Sequence, residues 1–339
     1  MTIATRTSFL IFIALLIAWV LYLVRAVLPP FILAAVFAYI LNPPLRVFAQ
    51  KSKLPRAIFI VILYVLFFAG LGWGGTFLSK QLIREAQDLA SELVFFVDAA
   101  RSQIDILPVF LRDFVHGLLL SVQEGFNIEP QAVWPFFSGA ASRVFTFITF
   151  LFASFYFLKD GEHFIEKILF LLHKEHKIEA EKLLIKINLV LGNYLRGQLS
   201  LVLLMAVVGF ILLTALGVRF SLILGLVIGL AEIVPMIGPI IAGTITVFVA
   251  VFDGASQFGL PPIYDGLIVL SAYVILNQIE NYLIVPQVMG KAIDLHPLLI
   301  FFAVLAGGHL FGILGFILAV PILAVLRVLL EYLLKKFTS

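Results

Sequence analysis

The chain has 339 residues, 62% of them hydrophobic and 13% charged, with a mean hydropathy of +1.13. Ordinary soluble domains hold roughly 45–50% apolar residues, so a globular fold around one core is excluded in favour of a polytopic membrane protein. A net charge of +3 without a long basic run is topology information rather than a nucleic-acid footprint, and the absence of cysteine excludes disulfides, cysteine-ligated metal centres and thiol chemistry.

The first apolar run, Ser8 to Val24, follows Arg6 and lacks a small-residue cleavage site, so it is read as a mature helix and not as a signal peptide. Arg25 interrupts it, and Ala26 to Leu41 carries it on to Asn42-Pro43-Pro44, the pattern of a tight helical hairpin. Arg46, Lys51, Lys53 and Arg56 follow without an acid, which assigns that side to the cytoplasm. Ala57 to Leu78 then has the length of a full outward span, which makes residues 1–78 a set of N-terminal transmembrane helices.

Residues 79–142 change character. Lys80, Arg84, Arg101 and Arg112 are outnumbered by acids such as Glu85, Asp88, Glu92 and Asp98, and an acid-rich segment after an outward span belongs outside. Leu82, Ala86, Leu89, Leu93, Phe96, Ala100, Ile104 and Leu107 recur at spacings of three and four, one apolar seam of an amphipathic helix that Pro108 stops. The seam has three readings: it rests on the protein's own membrane domain, pairs with a second copy, or docks on lipid. Residues 143–158 form the next span, ending in Lys159-Asp160-Gly161-Glu162. Lys167, Lys174, Lys177, Lys182 and Lys186 return the chain to the cytoplasm, with an amphipathic helix filling 159–196. His173 and His176 are spaced like metal ligands but lack the order His-Glu-x-x-His; they are read as surface residues, and no metal site is assigned.

Residues 197–339 hold apolar runs at Leu199 to Leu216, Phe220 to Val234, Ile237 to Phe252, Gly266 to Ile284, Leu298 to Ala306 and Leu310 to Leu326. Leu298 to Ala306 rises only about 14 Å at 1.5 Å per residue, half of a ~30 Å hydrocarbon core. Lys291 before it and Arg327, Lys335 and Lys336 after Leu326 all favour the cytoplasm. Leu298 to Leu326 therefore reads as a helical hairpin entering and leaving from one side, with Gly307-Gly308-His309 at its tip; a single tilted, kinked helix is the alternative. Both chain termini fall on the cytoplasmic side. The expected class is an all-α polytopic membrane protein of about eight membrane-embedded helical segments, broken and re-entrant ones among them, with amphipathic helices outside the bilayer.

Three polar clusters interrupt this half: Glu232 with Pro235, Gly238 and Pro239; Asn277-Gln278-Ile279-Glu280-Asn281 running to Pro286; and Asp294-Leu295-His296-Pro297 ahead of Gly307 and Gly308. A carboxylate at bilayer depth is costly, and proline deprives upstream carbonyls of their helical partners, so Ala231 to Pro239 is where a helix breaks. Non-helical backbone is tolerated there only when buried in protein or lining a wet cavity. Tyr273, Asn277, Glu280 and Asn281 share one helical face, which lets the amides surround the carboxylate. Glu232, Pro235, Gly238, Asn277, Gln278, Glu280, Asn281, Pro286, Asp294, Gly307 and Gly308 are the candidate pathway residues, with Glu232 and Glu280 the candidate groups for proton exchange. The competing reading makes the glutamates interhelical hydrogen-bond partners and the glycines close-packing points.

Phe155-Tyr156-Phe157-Leu158-Lys159-Asp160-Gly161, Tyr194-Leu195-Arg196-Gly197-Gln198, Glu232 to Pro239, Gln278-Ile279-Glu280-Asn281 with Val285-Pro286, and His296-Pro297 through Gly307-Gly308 and Gly312 to Pro321 stand in a specific order. In that order the chain resembles the autoinducer-2 exporter family, which also includes sodium(lithium)/proton antiporters. The resemblance covers nearly the whole sequence and is strongest after residue 190. It implies a multi-pass transporter of the bacterial inner membrane, homo-oligomeric, without enzymatic activity or cofactor. Its partners would be membrane lipid and either a small polar solute or a monovalent cation and proton. Export of a solute of the autoinducer-2 type, sodium or lithium/proton antiport, and a passive oligomeric pore or scaffold are the functions the sequence leaves open.

Overall fold

The computed structural model of the chain describes residues 12, 16, 19–20, 23–25, 27–51, 55–101, 140–170, 174–253, 261–289 and 295–338, with some side chains in these ranges left aside. Among the described residues the ordered elements are all helical. Among the described residues six helices are long and apolar enough to cross a membrane, and two shorter apolar ones, Ser221–Ala231 and Ile237–Val251, accompany them. The protein is an all-α polytopic membrane protein, and it divides into two compact units.

The first unit draws on Met1–Val65 and Trp134–Lys177. It contains α1 (Leu28–Lys51), the opening turns of α2 (Arg56–Arg101) and α3 (Ala140–Phe170). α1 does not stop at Asn42-Pro43-Pro44 but runs on to Lys51. The fixed φ of proline is itself helical, so two prolines remove donors without forcing a turn. Arg56 Nη2 donates to Asn42 Oδ1 at 2.6 Å, and the Tyr64 and Ser154 hydroxyls share a hydrogen bond of 2.6 Å inside a cluster of Ala38, Leu45, Ile60 and Leu158. The earlier arm of the expected hairpin falls largely outside the described residues.

The second unit draws on Leu66–Val133 and Ile178–Ser339 and carries the remaining elements: α4 (Lys174–Ala215), α5 (Ser221–Ala231), α6 (Ile237–Asp253), α7 (Pro262–Ile279), a π-helical turn (Glu280–Ile284), α8 (Val285–Met289) and α9 (Pro297–Thr338). The amphipathic segment expected over 159–196 is not a separate helix at its end; it is continuous with the next span in α4. The same continuity joins the span after Arg56 to the acid-rich segment in α2, and carries α3 through Lys159-Asp160-Gly161-Glu162 to Phe170. The side chains of the Leu82 to Leu107 seam, and those of His173 and His176, lie outside the described residues.

Glycines set the closest approaches. A Cβ at Gly225 or Gly229 would strike the backbone of Phe210, Val202 or Ala206, so α5 lies directly on α4 through a small-x-x-x-small face. α9 is two arms, not one rod: Gly312 has φ 59° and ψ −138°, a conformation open mainly to glycine. A Cβ at Gly307 would lie 2.6 Å from the Gly315 carbonyl oxygen and 3.5 Å from Ala319 Cβ, and a Cβ at Gly308 would meet the Phe316 ring. Residues 307 and 319 would be about 18 Å apart on a straight helix. The chain therefore folds back as a hairpin, with its tip at Gly312 rather than at Gly307-Gly308-His309, because the glycine pair is spent on arm packing.

The hairpin makes a direct prediction. A side chain at Gly307 strikes the Gly315 backbone and one at Gly312 is strained at φ 59°, so Gly307→Val and Gly312→Val should each destabilise the protein by about 1–3 kcal/mol. Thermal unfolding of the detergent-purified protein measures it against Gly70→Val, where a Cβ meets nothing within 4 Å, and midpoints no lower than that control's would mean a straight helix.

Candidate functional site

The break between α5 and α6 builds one half of the site. Pro235 has no N–H, and the chain crosses the gap by short-range turns, with the N–H groups of Glu232, Ile233 and Val234 bonded to the carbonyls of Gly229, Leu230 and Ala231. Met236 is held at φ 69°, a left-handed conformation that is uncommon for a non-glycine residue and tends to persist where surrounding structure fixes it. Gly238 is packed against the Ala231 carbonyl so closely that no side chain fits. The Glu232 carbonyl oxygen, orphaned at the end of α5, accepts a hydrogen bond from Gln198 Nε2 on α4. The Tyr273 hydroxyl of α7 donates to the Pro239 carbonyl at 2.7 Å.

The other half is the π-helical turn at the end of α7. Pro286 cannot donate to an upstream carbonyl, and the Val285 N–H instead reaches back five residues to the Glu280 carbonyl, which widens the helix at Glu280. Asn281 Nδ2 donates to the Asn277 carbonyl at 2.8 Å and Asn277 Nδ2 to the Tyr273 carbonyl at 3.4 Å. The amides thus support the backbone of the widened turn, where the sequence pattern had them surround the carboxylate.

Glu232 and Glu280 are 5% and 3% exposed, and their carboxyl groups lie within hydrogen-bonding reach of each other. Glu232 Oε1 and Glu280 Oε2 are buried with no N–H or O–H donor among the described residues. A carboxylate is an acceptor only, so two facing carboxyls with no outside donor are compatible when a proton or a cation lies between them. A buried acceptor pair of this kind can hold one positive charge.

The pair borders a cavity of about 1050 Å³. Of the candidate residues, Glu232, Pro235, Asn277, Gln278, Glu280 and Asn281 line it. Gly238 and Pro286 shape its two helix breaks without lining it, Gly307 and Gly308 pack the α9 arms, and Asp294 lies outside the described residues. The α9 hairpin still contributes a wall, through Pro297, Ile300 and Val320. Tyr194 and Gln198, one helical turn apart on α4, and Thr244 on α6 also line the cavity and were not among the candidates. A glutamine directly ahead of the apolar run of α4 was the available signal, since a buried amide needs a partner. Among the described residues no group of three or more His, Cys, Asp or Glu is arranged to hold a metal ion.

Comparison of the sequence with known proteins finds relatives along most of its length. YrrI of Bacillus subtilis is 28% identical over 323 residues, covering 93% of this chain and 89% of that protein. The AI-2 transport protein TqsA of Escherichia coli is 28% identical over 141 residues, 41% of this chain and 39% of its own length. A sodium-lithium/proton antiporter of Halobacillus andaensis is 21% identical over 322 residues, 90% and 89% of the two chains. The family model for AI-2E family transporters matches residues 9–335. With that match spanning almost its whole length, the chain belongs to the AI-2E transporter family.

Proposed function

We propose that this transporter is a secondary exporter of a small polar solute of the autoinducer-2 type, seated in the bacterial inner membrane with both termini in the cytoplasm, and that Glu232 and Glu280 couple solute passage to a proton. The observation that carries this reading is the carboxyl pair at the junction of two broken helices, on the wall of a cavity of about 1050 Å³. Small-molecule sites measure roughly 300–1,000 Å³, so the space suits an organic solute and far exceeds what a bare cation fills. Solute hydroxyls would donate to the carboxyl oxygens, while Gln278 and Asn281 offer donors and acceptors on the same wall. Broken helices meeting at such a site are the arrangement by which many transporters present backbone and side-chain groups to cargo.

A second reading, sodium or lithium/proton antiport, draws on the pair alone, because exchange of one positive charge for another needs nothing more than that acceptor site. The similarity to the Halobacillus antiporter favours it. Proteoliposomes under an imposed proton gradient separate the two. Protein-dependent release of an autoinducer-2-type solute supports export, cation-dependent proton movement without solute flux supports antiport, and no coupled flux of either kind overturns both.

Glu280→Gln keeps the shape and lets an amide donate to Glu232, so the fold should survive while proton-coupled flux falls at least about tenfold, a loss of ~1.4 kcal/mol or more. Normal coupled flux in that variant would exclude the pair from the coupling step. Gln198→Leu leaves the Glu232 carbonyl without its donor inside the protein and should destabilise by about 1–3 kcal/mol. Thermal unfolding of the detergent-purified protein measures this, and an unshifted midpoint would show that the bond contributes nothing.

A further inference from the structure

The cavity beside the glutamate pair is a slot with two unlike ends. α6 and α7 lie side by side and run antiparallel: the Tyr273 hydroxyl reaches the Pro239 carbonyl, a Cβ at Gly243 would strike the Tyr273 ring, and a Cβ at Gly266 would strike Val251. Both helices line the slot along one face, α6 from Pro239 to Val251, a rise of about 18 Å at 1.5 Å per residue. Polar side chains crowd one end, where Gln198, Glu232, Asn277, Gln278, Glu280 and Asn281 stand around the two helix breaks.

The other end is different. The pairing of Gly243 with Tyr273 and of Val251 with Gly266 sets Val247 level with Leu270, and there the lining side chains are Val247, Phe248 and Val251 of α6 with Leu270 and Val274 of α7. All five are hydrocarbon. Thr244 lies between the two ends, and its hydroxyl donates to the Ile240 carbonyl at 2.8 Å, so its one proton is spent on its own helix. The slot thus changes from hydrogen-bonding groups to hydrocarbon along its length.

The two ends ask for different chemistry. A held water needs two to four polar partners, which the side chains of the hydrocarbon end do not offer. A hydroxyl-rich solute gains nothing from that end, whereas hydrocarbon buried there gains about fourfold in affinity for each methylene. A wholly polar solute would fill the glutamate end and leave the other end empty. We infer that the cavity takes an amphipathic solute, with a hydroxyl-bearing head against the glutamate pair and a hydrocarbon portion along the α6–α7 seam at Val247, Phe248 and Val274. The inference rests on the reading of this cavity as the cargo site, and it narrows the cargo to a polar solute that carries an apolar portion.

The test uses the full chain in lipid nanodiscs and tritiated 1-O-alkylglycerols, with bound ligand measured by equilibrium dialysis after subtraction of empty nanodiscs. Lengthening the chain from butyl to hexyl should lower the half-saturating concentration at least about tenfold. Val274→Trp and Phe248→Trp, which add bulk to the hydrocarbon end from either helix, should each cut that ratio to about threefold or less. Methylating both head hydroxyls of the hexyl compound should weaken binding at least about tenfold, because its donors to the carboxyl oxygens are gone. Equal half-saturation for butyl and hexyl, as a bilayer acyl chain lodged in the slot would give, overturns the inference. A chain-length gain kept by both tryptophan variants, or a methylated head that binds as well as the free one, overturns it too. Flux in proteoliposomes keeps the two proposals distinct: release of an autoinducer-2-type solute without any chain-length gain removes the amphipathic slot alone, and a chain-length gain without flux removes the export reading alone.

Discussion

Within a hydrocarbon layer every backbone N–H and C=O must find a partner in the protein, because no water is present to supply one. An unsatisfied group costs about 1–3 kcal/mol even in a protein interior. The two interruptions beside the cavity are built under this constraint. At the α5–α6 break the Glu232 carbonyl is met by Gln198, and at the end of α7 the Glu280 carbonyl is met by the Val285 N–H while the amides of Asn281 and Asn277 add bonds to the Asn277 and Tyr273 carbonyls. The side chains that make the broken helices tenable are cavity-lining residues. Fold and site are therefore one set of residues, and a change that disturbs one disturbs the other.

Close backbone approach is the second dependency. Between helices in lipid there is no hydrophobic driving force, so association relies on packing at short range, and small residues permit it. Gly225 and Gly229 seat α5 on α4, and Gly307 and Gly315 seat one arm of α9 on the other. This fixes α5 at the end where Glu232 emerges and fixes the hairpin that brings Pro297, Ile300 and Val320 to the cavity. Polar contacts add to this near the end of α9, where Glu331 accepts from Lys186 and Arg327, and Glu179 accepts from Tyr332 and Lys336. Half-exposed pairs of this kind are worth at most about 1 kcal/mol each, so the glycine contacts dominate the packing.

The sequence made the membrane class, the hairpin and the two glutamates legible, since a carboxylate inside an apolar run has few bland explanations. Helix boundaries were less legible. Polarity marks where a helix leaves the bilayer, not where it ends, and so α2, α3 and α4 each continue through charged stretches that the hydropathy pattern separates into distinct elements. The hairpin tip was displaced for a related reason. A glycine pair looks like a turn, but a turn is decided by a positive φ, which Gly312 has and neither Gly307 nor Gly308 does. In the site, the residues on the α7 face were readable from spacing and their bonds were not. Whether Asn277 turns to a carboxylate or to its own helix depends on the widened turn at Glu280, which follows from Pro286 and the neighbours it meets.

The glutamates as interhelical glue and the glutamates as a working pair make different demands on their surroundings. Glue is stable when each acceptor is met by a donor, and buried polar groups in native proteins nearly always are. The side chains of Gln198 and Tyr273 bond to the carbonyls of Glu232 and Pro239, and Glu232 Oε1 and Glu280 Oε2 have no donor among the described residues. Two acceptors within reach of each other are reconciled by a proton between them. Under the proposed coupling, loss of that proton would set two like charges between the α5–α6 break and the π-helical turn, so the repulsion would act at two places where the helices are already interrupted.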